Sequence, residues 1–160
     1  MKPEDYNAMK RDICGRLPYG PMFHYYYGFA DGEGEDFDDS LTAFDIANDE
    51  VFGDVHHEPM YMSDIQLYLR PLSDMREDEV KKLDEIEPGA ICYRNYDSEK
   101  IVSIRIVDEA NERGVDLDMF ERVTDYLNSI YIDWRGLIGK HLALSATKEE
   151  IEELEHNYDK

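Results

Sequence analysis

The sequence predicts an α+β fold, with a small antiparallel sheet of roughly three to five strands in a β-rich first half and roughly three to five helices, mostly in the second half. Three observations predict it. Residues 22–69 carry short aromatic and aliphatic runs separated by turn residues, the signature of strands. Capping signatures of the Ser/Thr/Asp-x-x-Glu kind recur at Asp74, Asp118 and Thr147, each ahead of an apolar stripe at helical spacing. The 160 residues are 42% hydrophobic and 12% aromatic, enough for one core and against wholesale disorder. With no repeat and no low-complexity linker, one compact domain over 1–160 is expected, with a β-rich subdomain at 17–72 and an α-richer one at 73–160.

Tyr6, Met9, Ile13 and Leu17 lie three and four apart and form the inner stripe of a first helix that closes near Gly15. Pro18, Gly20 and Pro21 break it. The aromatic run Met22 to Phe29 reads as a strand, and Asp31 to Asp39, a block of like charges with turn chemistry, as an exposed loop. Leu41–Ile46, Val51–Val55 and Met60–Leu69 add strand-like pieces. Asp74 with Glu77 opens a helix along Met75, Val80, Leu83 and Ile86 that Pro88-Gly89 stops. Residues 90–96 and 99–107 are strands. Asp118 with Glu121 opens the best helix, striped by Phe120, Val123, Leu127 and Ile130. Residues 132–144 make a turn or short helix, and Thr147 with Glu150 opens a terminal helix with Ile151 and Leu154 inward.

The 38 acidic and 17 basic side chains give a net charge of -21. Direct nucleic-acid binding of the ordinary kind is excluded, because phosphate neutralisation needs clustered Lys and Arg. The asymmetry is sharper than the total. From Leu17 to Leu69 there is no Lys or Arg, while acids stand at 31, 33, 35, 36, 38, 39, 45, 49, 50, 54, 58 and 64. Such a stretch either borrows cations from elsewhere or presents a negative field to a basic protein surface. The charged, interrupted N-terminus has no apolar stretch of the signal-peptide kind and no run is long enough to span a membrane, so a cytoplasmic protein without membrane contact is expected. Cys14 and Cys92 form no CxxC pair and read as buried free thiols.

No catalytic, cofactor-binding or metal-binding residues emerge, and no cofactor is expected. An EF-hand begun at Asp31 would put Asp36 where the turn needs Gly and Thr42 where it needs Glu. His56 and His57 are adjacent, so on a strand they face opposite sides and do not readily share an ion with Met60 and Met62. His24 and His141 have no acid or nucleophile at a recognisable spacing. There is no G-x-S-x-G elbow and no phosphate-cradling loop. Twelve tyrosines, three of them consecutive at 25–27, either pack the sheet against a helix or, rimmed by acids, form an interface. The candidate interface residues are Tyr25, Tyr27, Glu33, Glu35, Asp36, Asp38, Asp39, Asp49 and Glu50.

Three islands, KRDICGRLPYG (Lys10 to Gly20), DIQLYLRPLSDM (Asp64 to Met75) and IDWRGLIGKHLAL (Ile132 to Leu144), stand in one order along the chain. They resemble the R-L-P-Y-G, Y-L-R-P-L-S-x-M and D-[YW]-R-G-L-I motifs of a family of small proteins of gut Bacteroidetes and their phages and mobile elements. The resemblance implies a mobile-element setting and supplies no catalytic residues. Arg70 and Arg135, cations in turns of an acid-rich chain, are expected to hold carboxylates or carbonyls, with Tyr19 and Trp134 at corners of the core. The function expected is that of a non-enzymatic binding or accessory protein acting through a protein–protein interface. In its specific form the protein imitates nucleic acid to occupy a host protein's basic groove. Two alternatives are a metal-dependent or hydrolytic enzyme using His56, His57 and the acidic loop, and a structural subunit of a larger assembly.

Overall fold

A computed structural model of the chain describes residues 2–28, 34–106 and 117–158, and the backbone alone for residues 27, 28, 34, 35 and 158. In chain order its elements are α1 (Pro3–Arg16), β1 (Met22–Gly28), β2 (Gly34–Asp45), β3 (Glu50–Gly53), β4 (Met60–Tyr61), β5 (Ile65–Leu69), α2 (Glu77–Ile86), β6 (Ala90–Arg94), β7 (Ile101–Ile106), α3 (Leu117–Ser129), β8 (Ala143–Ser145) and α4 (Lys148–Tyr158). The fold is α+β. Two compact units result, Met1–Leu69 with Arg135–Lys160, and Arg70–Trp134. The chain leaves the first unit after Leu69 and returns to it at Arg135, inside the third island, where composition carries no signal.

In the first unit six strands form one sheet in the order β4, β3, β2, β1, β5, β8. β1 runs antiparallel to β2, with Met22 opposite Ser40, and to β5, with Phe23 opposite Leu67. β8 adds a parallel edge beside β5, which the sequence did not announce. Three residues are too few to display alternation, so this pairing exists only because the chain returns here. Strand alternation puts Phe23, Tyr25, Phe37, Leu41, Ile65 and Leu67 on one face, where Met9 and Ile13 of α1 join them in the core. Each of the fully buried aliphatic or aromatic side chains contributes about 1.5–3 kcal/mol. α1 begins with Pro3 and carries Glu4 and Asp5 in its first turn and Arg16 in its last, matching its dipole at both ends. Gly20 ends the following turn in the left-handed region (φ 56°), the conformation glycine reaches without strain, and its carbonyl accepts the Ser40 hydroxyl at 3.0 Å.

The acidic block departs from its expected form. The segment from Gly34 to Asp39 is part of β2, not an exposed loop. Its like charges are separated by the pleat, with Asp36 and Asp38 on one face and Asp39 on the other, and Asp38 and Asp39 each find donors from neighbouring segments. Residues 29–33 lie outside the described residues.

In the second unit the hairpin β6–β7, with Cys92 opposite Ile104, packs with α2 and α3 around Leu83, Ala90, Ile101, Val123, Leu127 and Ile132. The expected cap at Asp74 is displaced by two residues. Arg70 takes the Asp74 carboxylate at 2.9 Å, and the N-cap is Arg76, whose backbone N–H donates to Glu79 at 2.9 Å. Asp118, expected as an N-cap, lies inside α3 in its first turn. The third signature forms as read: Thr147 N donates to Glu150 Oε2 at 2.7 Å, and Glu150 N to Thr147 Oγ1 at 3.3 Å. Both cysteines are free, Cys14 exposed and Cys92 half-buried, where buried thiols were expected. Among the described residues no helix is long and apolar enough to cross a membrane.

Candidate binding face

The face of the sheet turned away from α1 carries the other half of the alternation: His24 and Tyr26 from β1, Asp36 and Asp38 from β2, Gln66 and Tyr68 from β5. His24 stands directly opposite Asp38 on one side and Gln66 on the other, and Tyr26 opposite Asp36. Asp38 is the hub. Its Oδ1 accepts the Tyr68 hydroxyl at 2.7 Å and the His24 Nδ1–H at 2.9 Å; a carboxylate only accepts, so the ring nitrogen is the donor. This fixes the imidazole, whose Nε2 lies 3.9 Å from Asp36 Oδ2 and whose ring meets Tyr68 edge-on at 6.4 Å. Burial first, then the bond to Asp38 and the charges of Asp38 and Asp36, push the Tyr68 phenol up from its ordinary value, so it remains a donor.

Two hollows open on this face. One of about 300 Å³ is lined by His24, Tyr26, Ser63, Asp64, Gln66 and His141. The other, of about 380 Å³, is lined by Tyr68, Ser145, Glu150, Glu153, Leu154 and Asn157, the last four from α4. No Lys or Arg of the described residues lines either hollow. Tyr26 and Asp36 remain 63% and 67% exposed, so this end of the face is open to a partner.

The expected interface residues do not all gather here. Asp36 and Asp38 do. Tyr25 points the other way, is buried in the core and packs its ring 5.0 Å from Phe37; the exposed ring of the triplet is Tyr26. The side chains of Tyr27 and Glu35, and the whole of Glu33, lie outside the described residues. Asp39 is also a core residue, with its side chain fully buried. Its carboxylate accepts the N–H groups of Ser40 at 2.6 Å, Asp54 at 3.0 Å and His56 at 2.9 Å, and sits 3.2 Å from His56 Nδ1. A Cβ at Gly53 would collide with that carboxylate, which is why the neighbouring strand has glycine there. Asp49, in the left-handed turn conformation (φ 57°), and Glu50 lie at the turn between β2 and β3. Lys10 reaches Asp49 at 2.5 Å, and the bonds from Lys10 and Tyr6 hold the Asp49 carboxyl below its usual range. The same pairing raises the Tyr6 phenol to about 12. In the turn, Asp45 accepts the Asn48 side-chain amide and the N–H groups of Ala47 and Asn48, and is likewise lowered.

The structural candidates are joints. Arg70, 2% exposed, forks onto Glu79 at 2.8 and 2.9 Å and reaches Asp74 at 2.9 Å and the Ile130 carbonyl at 3.3 Å. Burial pulls its pKa down, but the Glu79 and Asp74 carboxylates outweigh this and leave it raised. Arg135 lies 3.3 Å from Asp12, the buried carboxylate that Arg16 Nε holds at 2.6 Å; burial lowers the Arg135 guanidinium below its ordinary value. Trp134 donates its indole N–H to Asn128 at 2.8 Å, and Tyr19 is half-buried.

His56 stacks on Phe37 at 3.6 Å and lies 3.2 Å from Asp39, and His57 is exposed. Among the described residues no three His, Cys, Asp or Glu side chains converge around an ion site. Sequence reasoning missed His24, Tyr26, Gln66 and Tyr68. Period-two reading of His24-Tyr25-Tyr26 against Asp36-Phe37-Asp38 contains the signal, since it places His24 and Tyr26 together and the two acids together. Their pairing across strands depends on register, so the acid that serves His24 sits fourteen residues away, at Asp38. The chain matches no family model, no curated protein and no solved structure.

Proposed function

We propose that the protein is a non-enzymatic binding protein whose first unit engages a basic surface of a protein partner. The observation that carries this reading is the sheet face on which Tyr26 and Asp64 line one hollow, Glu150 and Glu153 line the other, and Asp36 stands exposed opposite Tyr26, with no Lys or Arg of the described residues lining either hollow. Aromatic rings rimmed by carboxylates suit cationic side chains through ion pairing and cation–π attraction. In the mobile-element setting that the resemblance implies, the partner is a host protein. Nucleic-acid imitation asks for a long array of free carboxylates, and Asp39, Asp45 and Asp49 are engaged in internal hydrogen bonds. The broader reading is therefore the one carried forward.

The test is calorimetric titration of the whole protein with arginine-rich, lysine-rich and acidic peptides at about 50 mM and about 500 mM salt. The basic peptides bind at low salt and weaken steeply as salt rises, and the acidic control does not bind. Basic peptides that fail to bind at low salt, or hold equally well at high salt, overturn the reading.

A further inference from the structure

We infer that the partner anchors on this face through two cationic side chains spaced as in an extended Arg-X-Arg segment, one entering each hollow. The inference rests on the reading of the face as a site for a basic partner, and adds its spacing and chemistry. Gln66 lines the first hollow and Tyr68 the second. Both belong to β5 and point to the same side, two residues apart, so the hollows meet the strand at positions about 7 Å from each other. Alternate side chains of an extended partner segment are separated by the same distance.

The first hollow has the chemistry for a guanidinium. The Tyr26 ring at its edge is exposed, offering a face for a planar cation. Gln66 gives its amide N–H to the His141 carbonyl at 3.2 Å, so its oxygen serves as an acceptor, and Asp64 supplies a carboxylate. His24, which also lines this hollow, is held in place through its Nδ1 by Asp38, which in turn accepts the Tyr68 hydroxyl. In the second hollow Glu153 supplies the charge, since Glu150 is already engaged by the N–H of Thr147. Asn157 adds a carbonyl oxygen there, and Leu154 an apolar wall for the methylene stem of the incoming side chain.

The experiment compares fluorescently labelled extended peptides of equal net charge at low salt: Arg-X-Arg, the same two arginines seven residues apart, and two arginines replaced by lysines at the X-spacing. Binding is measured to the native protein and to Tyr26→Ala and Glu153→Gln, all exposed or rim changes, with circular dichroism checking that each variant is folded. The expected result is that Arg-X-Arg binds about fivefold more tightly than the wide-spaced peptide, and that each variant removes about that factor for Arg-X-Arg while leaving the wide-spaced peptide nearly unchanged. The lysine peptide loses less on Tyr26→Ala than the arginine peptide does. Affinities that follow net charge irrespective of spacing, and do not respond to either variant, overturn the two-hollow inference while the basic-partner reading stands. If none of the peptides binds, both fall.

Discussion

Arg70 shows how a single side chain can hold a unit together. A guanidinium buried in a 65-residue unit must be neutralised, and the bidentate fork onto Glu79 with the added bond to Asp74 does so with the geometry only arginine provides. Replacing Arg70 with Met leaves Glu79, 4% exposed, without its cation. The expected loss is about 3–5 kcal/mol of unfolding free energy, measured by urea denaturation. Arg70→Lys keeps the charge without the fork and recovers only part of that loss. Asp39 is the same problem with the sign reversed. A carboxylate placed between Phe37 and Leu41 on the core face is tolerated because backbone N–H groups of the segment after β3 converge on it. That explains why an acid in the middle of an apolar row need not face solvent, and why Asp39 is a poor choice for an interface.

At the scale of elements, the caps show where local sequence decides and where it yields. Thr147 and Glu150 satisfy each other's backbone N–H groups, so α4 begins where its sequence says it begins. Thr147→Ala removes the acceptor for Glu150 N and is expected to cost about 1 kcal/mol, with Thr147→Ser near neutral, both read from thermal or urea unfolding. The Asp74 signature fails because a stronger tertiary claim exists: Arg70 binds Asp74, and Glu79 supplies the cap from within the helix instead. The β1–β2 pair shows the same competition. Composition makes the segment after Asp31 look like a loop, but register offers Asp38 two donors, buries Leu41 and packs Phe37 against the core, and pairing wins. His24 and Tyr26 become a face only through that register.

For the whole molecule, the two units titrate in a common direction at high pH. Tyr6 in the first unit and Tyr126 in the second are each raised from 10.0 to about 12, Tyr6 chiefly by its bond to Asp49 and Tyr126 chiefly by burial, and Tyr68 is raised as well. A raised pKa means that the folded state holds its proton more tightly than the unfolded chain does. The stabilisation is complete below 10.0 and is lost as pH climbs through about 12. The midpoint of urea unfolding should therefore fall over that interval, and Tyr6→Phe should make the fall shallower; an unchanged midpoint would contradict these hydrogen bonds. The acid side has the opposite sign. Asp45 and Asp49 are lowered from 3.8, so what they contribute is present above that value and disappears as pH drops through their lower folded values.

By itself the sequence determined the α+β class, the first helix, β1, the terminal helix and its cap, and the absence of cations from residues 17–69. These are carried by local signals: periodicity, capping chemistry and net charge depend on neighbours a few residues apart. Only the tertiary structure decided that Tyr25 and Asp39 turn inward while Tyr26, Asp36 and Asp38 turn out, that His24 finds its acid across a strand, and that β8 closes the edge of the sheet. It also decided that residues 135–160 belong with the first unit. The physical reason is that a face is a product of register, and register is set by which apolar rows can be buried together. A one-residue slip would exchange every inward side chain for its outward neighbour, so the same acids and tyrosines would make a different surface.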